Sequence, residues 1–321
     1  MFKGKENLLY IVGLALLVFL PVLIDSPFYL DMIVYIFLWA GLAGAWNIIS
    51  GYAGQLSIGH AAFFGVGAYT STLLHMTYDI TPWAGMLIGG LVAVLFSVLI
   101  GSLTLRLRGP FFALATIAFA EILRIMAISW KGLTKGSLGI LIPYEPGLAN
   151  MIWGPKINYV FLMGAFMLAV YLISKAIEGS RFGYYLLALR EDEDAAEALG
   201  IDTSRVKVTA MMVSAFLTGI GGTLYAQYTL LIEPASVFGI DVSVQMALIS
   251  IIGSMNFAGG SIFGAFLLVP LSTFLRGWLT AYSGMHGFIY GLLLIIIVIF
   301  IPAGLLVKIQ SVNIIRRRQR E

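Results

Sequence analysis

Ten apolar runs punctuate the chain, at residues 8–24, 28–50, 58–76, 83–105, 110–130, 157–177, 206–230, 242–253, 259–275 and 287–307. Most approach the ~20 residues with which an α-helix crosses the hydrocarbon core of a bilayer. Polar residues are gathered into the segments between the runs. In lipid a backbone must close its own hydrogen bonds, so the pattern predicts an all-α polytopic membrane protein with about ten transmembrane helices. Residues 1–321 read as a single transmembrane domain.

The first run follows Lys3 and Lys5 like a secretory leader, but it lacks a small-x-small cleavage site and reads as a retained helix. The short runs 242–253 and 259–275, separated by a Gly-rich break, count as one crossing or two. Charge decides between these, because loops on the cytoplasmic side collect Lys and Arg. Counting two crossings puts fourteen basic residues inside and four outside, and places both termini in the cytoplasm. Counting one would strand Arg316, Arg317, Arg318 and Arg320 outside.

Composition sharpens this frame. Apolar residues make up 60% of the chain and charged residues 11%, with a mean hydropathy of +0.96. A net charge of +3 is what basic residues flanking membrane spans produce, so it does not indicate a nucleic-acid partner. The absence of cysteine excludes disulfides and thiolate metal sites.

Against this background one polar segment stands out. The longest cytoplasmic loop, 178–207, contains LREDEDAAEALG at 189–200, with one Arg, three Glu and two Asp in twelve residues. Its carboxylates fall in a first helical turn, where the helix dipole favours them, and Gly200 supplies a left-handed stop. Two readings stand at this point: a solvated connector, or a docking helix that offers Ala195, Ala198 and Leu199 to a groove on a partner.

Polar side chains within the spans mark candidate positions on a translocation path. Glu121 and Arg124, at i and i+3 in run 110–130, share a helix face and can pair; they read as a guest or gating contact, or as an ion pair fixing helix packing. Asn47, Ser50, Gln55, Ser57 and His60 interleave with Gly51, Gly54 and Gly59, which suits either unwound backbone beside a cavity or a tight helix contact. A wall formed by Phe63, Phe64, Phe111, Phe112 and Thr116 is compatible with leucine-like cargo.

No catalytic constellation or metal site is found. GLTKGS at 132–137 is the nearest approach to a phosphate cradle and lacks its spacing. His60, His75 and His286 are far apart, and neither a His-Glu-x-x-His nor a Gly-x-Ser-x-Gly motif occurs. The chain is therefore expected neither to bind ATP nor to act as an enzyme, and to need no cofactor.

Three motifs, SGYAGQLSIGHAAFFGVGAYT (50–70), LRGPFFALATIAFAEILR (107–124) and ALREDEDAAEALGI (188–201), resemble the M-type membrane permease of branched-chain amino acid ABC importers of bacteria and archaea. The similarity runs from about Phe37 to Leu306. It implies that the 178–207 loop carries the coupling helix that contacts an ATP-binding subunit, through Arg190, Asp192, Glu193, Asp194, Ala195, Glu197 and Gly200. It also implies a homologous H-type permease as heterodimer partner, two cytoplasmic ATP-binding subunits, an extracytoplasmic binding protein and a place in a prokaryotic inner membrane. Urea or another small solute is the alternative cargo within this family. An ion-coupled secondary transporter or channel, using Glu121, Arg124 and His60, and a membrane scaffold are the alternatives outside it.

Overall fold

Apolar runs become helices that start at proline or at small polar caps and stop where glycine or a left-handed residue breaks the ladder. The computed structural model describes residues 20–104, 107, 109–255, 257–278, 289 and 291–292. α1, Pro27–Asn47, begins with Ser26 ahead of a proline at its first position and runs on into a π-turn, Ile48–Tyr52. α2, His60–Tyr78, ends at Asp79 in the left-handed region. α3, Pro82–Thr104, and α4, Pro110–Ser129, follow. α5 spans Lys156–Glu178, α6 Arg181–Glu191, α7 Glu193–Ala198 and α8 Thr203–Thr229. α9, Ile240–Gly253, and α10, Gly260–Trp278, complete the described helices of more than one turn. Two short strands, β1 Ile140–Leu141 and β2 Leu231–Ile232, pair antiparallel with Ile140 opposite Ile232.

Seven helical segments among the described residues are long and apolar enough to cross a membrane. α2, with nineteen residues, is as long as the shortest of these but less apolar, carrying Ser, Thr and Gly. The expectation of ten crossings also rests on runs 8–24 and 287–307, which lie outside the described residues except for 20–24, 289 and 291–292. The two short runs are a helical hairpin. A Cβ on Gly253 would lie 1.9 Å from the Gly260 carbonyl, and one on Gly264 2.0 Å from the Ile249 carbonyl, so α9 and α10 run antiparallel in backbone contact. α9 alone is about 21 Å long. Together with the short helix Pro234–Val237 ahead of it, it forms a twenty-residue span.

α1 is the central post. Its second half is buried without interruption, and α5, α8, α9 and α10 pack around it. α8 also packs on α2 and α3. There the helices approach through glycine, a Cβ on Gly67 falling 2.1 Å from the Gly219 carbonyl. α3 turns Leu87, Leu91, Leu95, Leu99 and Leu103 outward at four-residue spacing, the stripe a lipid-facing helix presents. α4 packs against this body through α2 and α3 and keeps a broad outer face.

Candidate functional site: the α6–α7 connection and the polar knot above it

Each helix of the 178–207 connection is started by its own side-chain cap. Ser180 Oγ accepts from the Gly183 N–H at 3.1 Å to begin α6. Asp192 Oδ1 accepts from Ala195 N–H at 3.0 Å to begin α7, and Asp202 Oδ1 accepts from Arg205 N–H at 3.0 Å to begin α8. Such caps satisfy amide groups that a helix start leaves unpaired. Gly200, at φ +85°, ends the α7 segment in the expected left-handed conformation.

Of the residues expected to form the coupling contact, several are used within the chain. Glu193 Oε1 lies 2.6 Å from Nζ of Lys207, a lysine only 1% exposed, so the carboxylate compensates a buried charge. Glu197 Oε1 accepts from the Thr203 hydroxyl at 2.5 Å. With Ala196 buried, these contacts clasp α7 to the first turns of α8. What α7 turns outward is Ala195, Ala198 and Leu199, the last 83% exposed. Asp194 and Gly200 are exposed as well.

Arg190, from the last turn of α6, reaches in the other direction. Its Nη1 donates to the Gly51 carbonyl at 3.1 Å, inside the π-turn of α1. Glu178, the last residue of α5, closes the same region. Its Oε1 accepts from the Tyr52 hydroxyl at 3.1 Å and from Ala258 N–H at 2.6 Å, while Oε2 lies 2.9 Å from Lys175 Nζ. A cleft of about 250 Å³ opens here, between Tyr52, Glu178, Tyr184 and Arg190. The α6–α7 connection is thus tied to α1 at its π-turn and to the α9–α10 turn. Sequence reading did not foresee α6, although Ser180 and the later buried pair Leu186 and Leu189 carry its signal; nor did it single out Tyr52, Glu178 or Lys207.

Directly above the π-turn, the candidate path residues form a buried knot. Ser214 Oγ spends its only proton on the Ala45 carbonyl at 2.6 Å, so it accepts from His60 Nε2–H at 2.7 Å. His60 Nδ1 is then left to accept from the Ser57 hydroxyl at 2.8 Å. The imidazole is neutral, fully buried and satisfied at both nitrogens. Trp46 Nε1–H donates to the Ser57 carbonyl at 2.6 Å, and Ile58 N–H donates to Thr116 Oγ1 at 3.2 Å. Ala61 N–H donates to Ser243 Oγ at 2.8 Å, which brings α9 in. Asn47 and Gln55 are buried beside the knot, each with a carbonyl oxygen that has no hydrogen-bond partner among the described residues.

Glu121 stands apart from this knot. It forms the expected bidentate pair with Arg124, Nε to Oε2 at 2.8 Å and Nη2 to Oε1 at 2.5 Å. The pair lies on the outer face of α4, where the Glu121 side chain is 48% exposed, beside exposed Ile122, Ile125 and Met126. The five-residue wall is divided in the same way. Phe63, Phe64, Phe112 and Thr116 are buried, whereas Phe111 is 69% exposed on α4. Among the described residues no three His, Asp or Glu side chains converge as a metal site requires.

A bundle with seven membrane-length helical segments among the described residues, a polar knot in its core and a capped two-helix connection at one end defines a multi-pass helical membrane protein. The chain belongs to the family described as branched-chain amino acid transport system / permease component, whose model matches residues 28–298. It is 30% identical over 297 residues to the high-affinity branched-chain amino acid transport system permease protein LivM of Escherichia coli K12, covering 85% of this chain and 68% of that protein. It is 24% identical to the LivH permease protein of the same name class from Salmonella typhimurium, covering 84% of this chain and 91% of that one. It is 26% identical to the nucleoside ABC transporter permease protein NupC of Lactococcus lactis, covering 56% and 61% respectively. No solved structure matches. The chain is accordingly an M-type permease of a prokaryotic inner membrane.

Proposed function

We propose that this chain is one half of the membrane domain of an ATP-driven importer that moves branched-chain amino acids into the cell by alternating access. Residues 1–321 act as one permease domain with both termini cytoplasmic. An H-type sister completes the membrane pair, two cytoplasmic ATP-binding subunits hydrolyse ATP, and an extracytoplasmic binding protein delivers the substrate. Similarity to both LivM and LivH supports the pairing.

The observation that carries the reading is the orientation of α7. Two of its three acidic side chains, Glu193 and Glu197, are engaged by Lys207 and Thr203, while Asp194 and the apolar Ala195, Ala198 and Leu199 are presented outward. A short helix held this firmly, with an uncovered apolar edge, is suited to sit in a groove of a moving partner. Arg190 and Glu178 then transmit the motion to α1. The Glu121–Arg124 pair supports a second element of the proposal. An ion pair mid-span on a lipid-facing surface is costly, so the outer face of α4 is assigned to the seam with the sister permease, where the translocation cavity opens. The knot of Asn47, Gln55, Ser57, His60 and Thr116 forms the rigid inner wall behind that path.

The test is leucine uptake into proteoliposomes holding the permease pair, the ATP-binding subunits and the binding protein, with and without internal ATP. Leu199→Asp changes an exposed side chain and no internal hydrogen bond, which Glu197→Lys would not satisfy. Uptake that needs ATP, and that Leu199→Asp reduces at least tenfold with the permease pair still assembled, is the expected result. Uptake that ignores ATP and follows a proton or sodium gradient overturns the importer reading. The likeness to NupC favours one second reading, a nucleoside cargo; uridine uptake without leucine uptake would establish it, and uptake of urea alone would move the cargo to that class.

A further inference from the structure

At the end of the bundle away from α6 and α7, a second cavity of about 360 Å³ lies between α1, α8, α9 and α10. Its opposed walls are helical stripes: Asp31, Tyr35 and Trp39 on α1 recur at four-residue spacing, and Val269, Thr273 and Arg276 do nearly so on α10. Tyr225 and Gln245 line it from α8 and α9. Its charged groups are gathered at one end. Asp31, in the second turn of α1, and Arg276, in the last turn of α10, stand at the mouth, and Trp39, 8% exposed, lies deepest along α1. The α1 wall from Asp31 to Trp39 is roughly 12 Å long.

Both signs of charge at the mouth of one small cavity, above an aromatic floor, match a compact zwitterion with an apolar tail. We propose that this cavity is a binding site for one branched-chain α-amino acid within this chain, at the end remote from the coupling helix; the inference rests on the importer reading above. The Arg276 guanidinium takes the α-carboxylate. It has five N–H donors, enough for a two-pronged contact in addition to neighbours. The Asp31 carboxylate takes the ammonium. It already pairs with Lys156 Nζ at 2.7 Å and accepts from the Tyr228 hydroxyl, which fixes its position and leaves acceptor capacity on both oxygens. The Gln245 side-chain amide, which makes no hydrogen bond among the described residues, is available to either end of the zwitterion. The aliphatic side chain descends between Tyr35 and Trp39. A cavity of this volume is at the lower end of small-molecule sites and holds a single residue-sized ligand. Urea and nucleosides carry neither charge and would leave Arg276 and Asp31 unmatched.

The chain contains no cysteine, so Thr273→Cys introduces a unique thiol into the cavity. The full transporter carrying this change is reconstituted without ATP, and labelling of this chain by a membrane-impermeant methanethiosulfonate is timed. Leucine is expected to slow labelling at least fivefold. Leucine amide, 4-methyl-2-oxopentanoate and uridine, each lacking one or both charges, are expected to leave it unchanged, and Arg276→Gln is expected to abolish protection. Equal protection by the analogues, or a thiol that never reacts, overturns the site. So does labelling indifferent to leucine in vesicles that do import leucine with ATP. Vesicles that import no leucine overturn the importer reading instead. A thiol blocked in phosphatidylethanolamine vesicles, open in phosphatidylcholine vesicles and indifferent to leucine in both identifies a lipid headgroup as occupant and overturns the amino-acid site.

Discussion

Glu178 joins three elements with one carboxylate, so its neutralisation should be felt in all three. In Glu178→Gln the amide oxygen can still accept from Tyr52 and Ala258, at 3.1 and 2.6 Å in the native chain, but without the charge that strengthens both contacts. A hydrogen bond to a charged group contributes ~1.5–3 kcal/mol and a neutral one ~0.5–1.5, so each contact weakens by about 1 kcal/mol. The Lys175 pair is partly exposed and adds only about 0.5 kcal/mol. The variant is therefore expected to be destabilised by about 2.5 kcal/mol. Tyr52→Phe deletes one of the two contacts while preserving the buried ring, at a cost of about 1.5 kcal/mol. Because the two residues share a bond, the double variant should fall short of additivity by about 1 kcal/mol. Equilibrium unfolding of the purified chain in detergent, followed by helical circular dichroism, measures all four members of the cycle. Additivity to within about 0.3 kcal/mol would refute the claim that Glu178 and Tyr52 hold the end of α5 to the π-turn.

Three further outcomes are expected. Ser214→Ala leaves the buried His60 Nε2–H without an acceptor and should destabilise the chain by about 2 kcal/mol; an unchanged unfolding midpoint would show that the relay through His60 is not made. Gly67→Ala places a methyl group 2.1 Å from the Gly219 carbonyl, where neither backbone can yield, and should cost ~1–3 kcal/mol or more. Gly132→Ala, with nothing within 4 Å, is its neutral control, and equal expression and stability of the two would refute the close approach of α2 and α8. Arg124→Gln leaves Glu121 unpaired on the outer face of α4 and should lower co-purification of the sister permease at least fivefold; full recovery of the pair would detach that face from the seam.

The helical architecture was legible because hydropathy reports lipid directly. Runs 28–50, 83–105, 110–130, 157–177 and 206–230 all returned as helices with ends close to those expected. The break between 242–253 and 259–275 was legible as glycine, but its meaning, a backbone-contact hairpin, depends on which glycines face each other across the turn. The helix at α7 and its Gly200 stop were read from local chemistry, since first-turn carboxylates and a left-handed stop involve residues only a few positions apart. The clasp of α7 was not. Glu193 is fourteen residues from Lys207, and Arg190 is 139 from Gly51; no local pattern announces such partners. The same limit separated Glu121 from the other candidate residues. Sequence places all of them within spans, whereas only packing shows that Asn47, Gln55, Ser57, His60 and Thr116 are drawn together and that Glu121 faces away.

α1 gives these separate features a common geometry. Its first turns carry Asp31 at the mouth of the larger cavity, and its far end becomes the π-turn that Arg190 and Glu178 hold. Between the two, every residue from Ile36 to Asn47 is buried, packed against α5, α8, α9 and α10. A close-packed helix cannot absorb displacement along its length by bending, because its side chains have no room to change partners gradually. The π-turn differs, since its wider ladder is the place where a helix accommodates an altered register. On the proposed coupling, a push from α6 delivered to the Gly51 carbonyl would enter α1 at this turn. Whether that push is dissipated or carried onward depends on how firmly the turn is held, and the Glu178 contacts with Tyr52 and Ala258 hold it from the opposite side. Stiffness at residues 48–52, more than any single residue along the path, would then set how much of a displacement at α7 arrives at the far end of the bundle.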